Sequence, residues 1–471
     1  MHEFRYVRGV LHGEGVSLAA LARRFGTPLY VYSQRTLENR LRELTAALAP
    51  LDPLVCYAVK ANSNLAVLAT FARLGTGFDV VSGGELARVI AAGGDPARCV
   101  FAGVAKTAAE IETALRRGIY CFNVESEPEL VRINAIAARL RCRAPVAVRV
   151  NPNVDAHTHA KITTGTYENK FGIALEAVPG VYARAARLKN LHLRGLQMHI
   201  GSQLTTVAPF RRAVERVAPL AAELAARYGL EFFSLGGGLG IVYPEALASG
   251  DPAWWRSGPG RRFITPARYA AALVPALRRL GLKILLEPGR FLVGNAGLLL
   301  TRVEYVKQTA RKRFVIVDAA MNDLIRPTLY GVYHDIRAVR RQPLDRRLRQ
   351  RSGARTGAAQ GVDHGPGADR RVVVETRVAT QREPPGELIR LEAPGLCQQR
   401  HKGAFGIGAD QSFRDLHAGE DVARAGGIEP ADLPRRDDAQ HAGSLADGDR
   451  RQCRQRESAS QDGSTTHDGT L

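Results

Sequence analysis

The chain has 471 residues, 45% of them hydrophobic, and a formal net charge of +20. That length accommodates two or three domains with a large core, and no run of 18 apolar residues offers a membrane-spanning helix. The positive charge is spread along the chain with no helix-turn-helix, zinc-finger or RNA-binding signature, so it excludes a dedicated nucleic-acid binder and is put down to arginine-rich codon usage and an anionic ligand.

The opening stretch MHEFRYVRGV scatters charges among its apolar residues and makes no signal peptide, so a cytoplasmic protein is expected. Cys56, Cys99, Cys121, Cys142, Cys397 and Cys453 form no C-x-x-C pair; free thiols, the first four in apolar or strand-like surroundings, and no metal site are expected.

Between residues 50 and 290 short apolar runs alternate with helical text. The runs are LVCYAVK (54–60), GFDVVS (77–82), CVFAG (99–103), YCFNVES (120–126), APVAVRVNP (144–152), LRGLQMHIGS (193–202), EFFSLGGG (231–238) and KILLEPGR (283–290). Segments such as ELARVIAAGG (85–94) and AAEIETALRRG (108–118) place apolar side chains at i, i+3 and i+4 and end in glycine. Eight strands, each followed by a helix, predict an α/β protein built on a (β/α)8 barrel over residues 36–295; a doubly wound open sheet is the alternative.

In such a barrel the loops after the strands build the active site, and polar residues cluster there. Lys60 closes the run VCYAV. An ammonium at the end of a buried strand is costly, so its pKa is expected to fall, freeing a neutral amine for a Schiff base with an aldehyde cofactor. A lysine snorkelling to the surface is the bland alternative. His199 in MHIGSQ can stack on a flat ring or sit as a satisfied core histidine. Ser202 can donate to a phosphate or cap the next helix. The three glycines of SLGGGLGI (234–241) make an anion nest or a plain tight turn. A dinucleotide fingerprint is the weaker match, since it needs glycine where Ile241 stands. In EPGR (287–290), Glu287 can keep a pyridine nitrogen protonated and Arg290 can fork onto a phosphate or carboxylate; a structural ion pair is the alternative. An aldehyde trap, a ring stacker, a nitrogen partner and an anion cradle at corresponding strand ends together describe a pyridoxal 5'-phosphate site.

From Arg337 the texture changes. Through Leu471 the aromatics are Phe405 and Phe413, the isoleucines Ile389, Ile407 and Ile428, and 22 arginines face a single lysine, Lys402. Apart from RVVVETRVAT (371–380), little alternates like a strand. So few large apolar side chains cannot offset the entropy of ordering this stretch, which predicts a disordered tail. A reading-frame shift explains the break after LYGVYHDI better, because barrel-like text stops there with no linker.

The segments FRYVRGVLHGEGVSLAALARRFGTPLYVYS, CYAVKANSNLAVL, FDVVSGGEL, HAKITTGTYENKFGI, MHIGSQL, LGGGLGI, EPGRFLVGNAGLLLTRV and VDAAMNDLIRPTLYGVYH occur in that order. Over residues 1 to about 336 they resemble diaminopimelate decarboxylase, a fold type III pyridoxal-phosphate decarboxylase. ENKFGI and DAAMNDLIRP favour it over racemases and over related barrel decarboxylases of other diamino acids. The resemblance implies that Lys60 carries the cofactor and that His199 stacks on its ring, both being catalytic. It implies that Asp79, Ser202, Gly237, Gly238, Glu287, Pro288, Gly289 and Arg290 complete the cofactor site, with Glu287 on the pyridine nitrogen. Arg290, Arg326 and Tyr330 would grip the carboxylates of a small amino-acid substrate. The implied reaction takes carbon dioxide from meso-2,6-diaminopimelate and yields L-lysine, in a homodimer. Residues 1–35 would join a second, β-rich domain that begins at 296–336 and is incomplete, with 337–471 as the atypical tail. The family's Cys-Glu-Ser-Gly-Asp segment, with its proton-donating Cys, is absent. Cys397 stands in PGLCQQR, and GAFG puts Phe405 where the family has a Tyr. An impaired product of a disrupted gene is therefore the competing expectation.

Overall fold

The computed structural model describes residues 2–154, 170–310, 313–341 and 371–374. Strands β1 (Phe4–Val7), β2 (Val10–Gly13) and β3 (Val16–Ser17) form an antiparallel sheet. Ser17 then caps α1 (Leu18–Phe25) by accepting from the Ala20 N–H. Leu18, Leu21 and Ala22 of α1 put one apolar stripe onto a small core with Phe4, Leu11 and Val31. Strand β4 (Leu29–Tyr32) and helix α2 (Gln34–Ala47) lead into the barrel.

The next elements alternate: β5 (Leu54–Ala58), α3 (Leu65–Arg73), β6 (Gly77–Val80), α4 (Gly83–Ala91), β7 (Cys99–Phe101), α5 (Ala108–Arg116), β8 (Cys121–Val124), α6 (Glu127–Arg139), β9 (Ala144–Asn151), the short β10 (Ile173–Ala174), α7 (Val178–Ala185), β11 (Leu191–Met198), α8 (Ala208–Tyr228) and β12 (Phe232–Ser234). Two short helices, α9 (Pro252–Arg256) and α10 (Gly258–Arg261), precede α11 (Pro266–Arg278), β13 (Lys283–Leu286) and α12 (Arg290–Val293). Each of the eight apolar runs holds one strand. All eight pair in parallel, and the pairings of β8 with β9 and of β13 with β5 close the sheet on itself. The open-sheet alternative is thereby excluded.

Period-two alternation explains the two layers. Along β5, Leu54 and Cys56 face the barrel interior with Val100, Cys121, Ala147, Phe232 and Leu285, while Val55 and Tyr57 face the helices. Gly195 of β11 is required by that filling, since a Cβ there would stand 2.5 Å from the Phe232 ring. The thiols of Cys56, Cys99 and Cys121 are free and buried and that of Cys142 is free and half-buried. Burial pushes the Cys56 and Cys121 thiols well up, so they are inert filling. Cys397 and Cys453 lie outside the described residues.

Beyond the barrel, β14 (Gly297–Gln308) pairs antiparallel with β4, with β15 (Arg313–Val317) and with β17 (Arg371–Val374), which also pairs with β16 (Ile336–Ala338). The helix α13 (Arg326–Tyr330) lies between β15 and β16 in sequence. The N-terminal segment thus supplies a strand to the second sheet, and RVVVETRVAT supplies another. The rest of the tail from 342, with the expectations placed on it, lies outside the described residues. Among the described residues no helix is long and apolar enough to cross a membrane, and no group of His, Cys, Asp and Glu could hold a metal ion.

Candidate active site

The barrel mouth gathers polar side chains from nearly every strand end. Lys60 stands on a 3-10 turn (Val59–Ala61) directly after β5. Its neighbour across the ladder is β6, where Ala58 is in register with Asp79, and the Lys60 Nζ donates to Asp79 Oδ2 at 2.6 Å. Asp79 is buried, while the Lys60 side chain opens onto the mouth and is half exposed. The expected fall of the Lys60 pKa does not occur. Partial burial pulls it down, but the charge and hydrogen bond of Asp79, with the charges of Glu287 and Glu85, raise it above the ordinary lysine value. A partner at hydrogen-bond distance outweighs desolvation. The amine must therefore lose its proton before it can attack an aldehyde.

Glu287 follows β13 and is buried at the centre of the mouth. Its Oε1 accepts from Ser234 Oγ (2.7 Å) and Asn123 Nδ2 (3.1 Å), and its Oε2 accepts from Gln197 Nε2 (2.9 Å). The three donors come from β12, β8 and β11. Burial nevertheless pushes the carboxyl well above the usual range, and the nearby Asp79 charge adds to this, against the hydrogen bonds and Lys60. His199, after β11, is held well below its ordinary pKa by burial and by the charges of Arg149 and Lys60, so it is neutral. The Gly237 N–H donates to His199 Nδ1 at 3.2 Å, which leaves the ring proton on Nε2.

The triple-glycine turn follows β12 and is packed bare. Gly236 and Gly238 have φ of +67° and +112°, and a Cβ on Gly237 would stand 2.4 Å from the Glu287 carbonyl oxygen. The Gly236 amide goes to Ser234 Oγ and the Gly237 amide to His199, so the turn satisfies its own scaffold with two of its three donors. Pro288 binds the next strand, its carbonyl accepting from the Ala58 N–H at 3.1 Å, and Gly289 packs against Ala58 and Ala61.

Ser202 does not cap α8; its Oγ accepts from Arg290 Nε at 3.2 Å. Arg290 makes no ion pair with Glu287. Instead Arg290 and Arg326 both donate through Nη1 to the Tyr243 hydroxyl, Arg326 at 2.8 Å. Arg326 is buried, and its Cζ lies 5.8 Å from the Tyr330 ring. Its pKa is lowered by burial and by the like charge of Arg290, against the Tyr243 and Tyr330 phenols.

Two clusters therefore meet at one mouth: Lys60, Asp79, His199 and Glu287, and Ser202, Arg290, Arg326 and Tyr330. The residues the sequence reading passed over are Asn123, Gln197 and Ser234, which orient Glu287, and Tyr243, which joins the arginines. A polar side chain inside an otherwise apolar run marks the first two. Glu85 also borders the site: it accepts from the Val81 N–H at 2.8 Å, and burial raises it to about 7. A cavity of about 570 Å³ lined by Arg40, Trp255, Phe263 and Phe291 takes in none of the predicted site residues.

A pyridoxal phosphate fits these residues. Asp79 Oδ1, Asn123 Oδ1 and Gln197 Oε1 are buried with no hydrogen-bond partner in the protein. Unsatisfied buried acceptors ringing one carboxylate and one amine call for a polar group from outside the chain. The barrel and its mouth thus define a pyridoxal-phosphate protein of the decarboxylase class. Residues 34–294 match the family described as pyridoxal-dependent decarboxylase, pyridoxal binding domain. The chain is 51% identical over 343 residues to the diaminopimelate decarboxylase of Pseudomonas aeruginosa, covering 72% of this chain and 79% of that one. It is 53% identical over 327 residues to that of Neisseria meningitidis, covering 69% and 75%. Similar solved structures include the diaminopimelate decarboxylase of Helicobacter pylori complexed with L-lysine, with a TM-score of 0.66, 36% identity and coverage of 76% and 88%. That of M. jannaschii gives a TM-score of 0.71 at 30% identity, with coverage of 84% and 94%. The chain belongs to the diaminopimelate decarboxylase family.

Proposed function

We propose that this chain is a cytoplasmic, homodimeric carboxy-lyase that takes carbon dioxide from meso-2,6-diaminopimelate and releases L-lysine. The carrying observation is the Lys60–Asp79 contact in the same mouth as the buried Glu287 and the Arg290–Arg326 pair. Pyridoxal phosphate, when bound, supplies an electron sink for the pair left by departing carbon dioxide. Lys60 would be its anchor through Nζ, and Asp79, which holds that nitrogen at 2.6 Å, would orient it in the mouth. Glu287, oriented by three donors and pushed up in pKa, holds a proton at its carboxyl oxygens where a ring nitrogen needs one. Neutral His199 offers a flat, uncharged face. Ser202, Gly238, Gly289 and Arg290 would hold the phosphate end. Arg290, Arg326 and Tyr330 orient the distal carboxylate, fixing which bond faces the sink.

A second reading concerns turnover. The matches to the Pseudomonas and Neisseria relatives leave about a fifth to a quarter of those chains unmatched, and the Cys-Glu-Ser-Gly-Asp segment that the resemblance makes the proton donor is absent from this sequence. Loss of one general acid lowers turnover at least about a hundredfold. Lysine formation should therefore run that far below a full-length relative under the same conditions; equal rates would overturn this second reading. The primary test is spectroscopic. Purified protein mixed with pyridoxal phosphate should gain the visible band of a lysine-bound pyridoxal, and Lys60→Ala should lose it. A folded native chain that stays colourless refutes the cofactor assignment.

A further inference from the structure

We propose that the cavity of about 570 Å³ between α2, α9, α11 and α12 is a second ligand site, and that it takes a small aromatic monocarboxylate. The cavity shares no residue with the candidate active site, so the inference stands whether or not the reading of that site does.

The walls are apolar and drawn from separate parts of the chain. Ile241 and Val242 come from the loop after the triple-glycine turn, Phe291 from α12, Trp255 from α9, and Phe263 and Pro266 from the entry to α11. Ile241, Val242 and Phe291 are buried, while Trp255 and Phe263 are half-buried at the open side. The indole N–H of Trp255 already donates to the Ser249 carbonyl at 2.8 Å, so the ring meets the cavity as an apolar surface. A volume of this size lies within the range that encloses a small organic molecule, and three aromatic side chains on the walls offer edge and face contacts to a ring.

One wall carries a charge that the protein leaves largely unspent. Arg40 lines the cavity from α2 and is only 5% exposed. A guanidinium has five N–H donors. Nη1 donates to Glu43 Oε2 at 3.0 Å, one turn along the same helix, and Nε is buried with no hydrogen-bond partner. The Cζ lies 5.3 Å from the centroid of the Phe291 ring, which offers a π face and no acceptor atom. Burial lowers the Arg40 pKa against the charge and hydrogen bond of Glu43, so the cation is held where water would otherwise hydrate it. The exposed Arg256 also lines the cavity, which sets two guanidiniums against the one carboxylate of Glu43. A buried cation short of acceptors, in an apolar chamber with a surplus of positive charge, is matched by an apolar molecule ending in one carboxylate. A neutral molecule would leave the donors as they are, and a dicarboxylate would bury a second charge against Ile241, Val242 or Phe263 with nothing to meet it.

The probe is 4-phenylbutyrate, with 4-phenylbutanol as the same body without the charge and acetate as the charge without the body. Each is titrated calorimetrically into the full chain loaded with pyridoxal phosphate. Trp254 and Trp255 are the two tryptophans of the chain, so their fluorescence reports occupancy at this wall. One equivalent of 4-phenylbutyrate should bind, at least about tenfold more tightly than the alcohol, the worth of one charge-assisted hydrogen bond. Acetate should not bind, and the visible band should not change. Arg40→Met keeps the apolar stem and removes the charge, and should bring acid and alcohol to equal affinity. Ala47→Phe puts a ring on the α2 wall of the cavity and should weaken both. Lys60→Ala and Arg326→Ala should bind the acid as the native chain does. If Arg40→Met melts early, the acid–alcohol ratio of the native chain and the Ala47→Phe variant decide the matter. No binding of 4-phenylbutyrate, equal affinity for acid and alcohol in the native chain, or a preference that survives Arg40→Met would overturn the proposal. So would loss of binding in Arg326→Ala but not in Ala47→Phe, which would put the acid in the barrel mouth.

Discussion

Replacing Gly237 by alanine should disable the mouth of the barrel while leaving the barrel folded. A Cβ on Gly237 would stand 2.4 Å from the Glu287 carbonyl oxygen and 3.3 Å from its carbonyl carbon. Ordinary contact distance requires the two backbones to part by roughly 1 Å, and a close-packed interior has no slack of that size. The obstacle is main chain, which cannot rotate away. The Glu287 N–H donates to the Gly236 carbonyl at 2.9 Å, and the Pro288 carbonyl accepts from Ala58 at 3.1 Å, so the segment is tied to its neighbours on both sides. Overpacking of this kind costs about 1–3 kcal/mol, and each kcal/mol lowers Tm by roughly 2–4 °C in a domain of this size. The larger effect is positional. Glu287 moves with its backbone, away from the Asn123, Gln197 and Ser234 donors that hold it at 2.7–3.1 Å. A misplacement of about 1 Å is worth on the order of a hundredfold in rate. Gly94→Ala is the control. Its Cβ would meet Val89 Cγ1 at 2.6 Å and Phe78 Cε2 at 2.8 Å, between α4 and β7 at the opposite end of the barrel. Thermal melting by circular dichroism, paired with pyridoxal phosphate titration followed in the visible, separates the two effects. Both variants should melt lower, and only Gly237→Ala should lose cofactor affinity, by about tenfold or more. Native uptake by Gly237→Ala would show that the turn is not packed as argued.

Two further outcomes concern buried charge. Glu85 is raised from the ordinary 4.5 to about 7, first by burial, so the folded chain keeps a proton that the unfolded chain releases. Its contribution to stability is complete below about 4.5 and is lost as pH rises through about 7, amounting to about 3 kcal/mol at 1.36 kcal/mol per pKa unit. Urea midpoints should therefore fall more steeply between pH 4.5 and 7.5 in the native chain than in Glu85→Gln, and parallel curves would exclude this account. Lys106 is buried with its Nζ on the Gly103 and Asn123 carbonyls and on Glu129 Oε1, the last at 2.7 Å. Glu129→Leu strands that cation and should cost about 3–5 kcal/mol by urea unfolding, with much of it regained in the Lys106→Met/Glu129→Leu double variant. A cost near zero would mean that the pair is not as dry as its geometry implies.

What could be read along the chain was local. Period-two runs such as LVCYA, interrupted by amphipathic stretches ending in glycine, carry the barrel, because strand and helix periodicity and their stop signals are near-neighbour properties. Lys60, His199, Glu287 and the triple glycine were legible for the same reason: each is a polar or bare residue at the end of a buried run. The count of eight units pointed to a closed barrel over an open sheet, but the pairings that close it, β8 with β9 and β13 with β5, depend on strand tilt and stagger summed over the whole ring and are settled only by the tertiary structure. The protonation state of Lys60 was read the wrong way round. Burial could be inferred from its position after β5, but Asp79 lies on another strand and only the register of β5 with β6 brings it within 2.6 Å. Tyr243 was invisible for the same cause, as a tyrosine in a loop means nothing until Arg290 and Arg326 arrive from elsewhere. By itself, then, the order of residues determined which side chains stand at the ends of which strands. Tertiary structure alone decided which of them touch, and because electrostatic and hydrogen-bond energies change over a few ångströms, it also decided which of them carry charge.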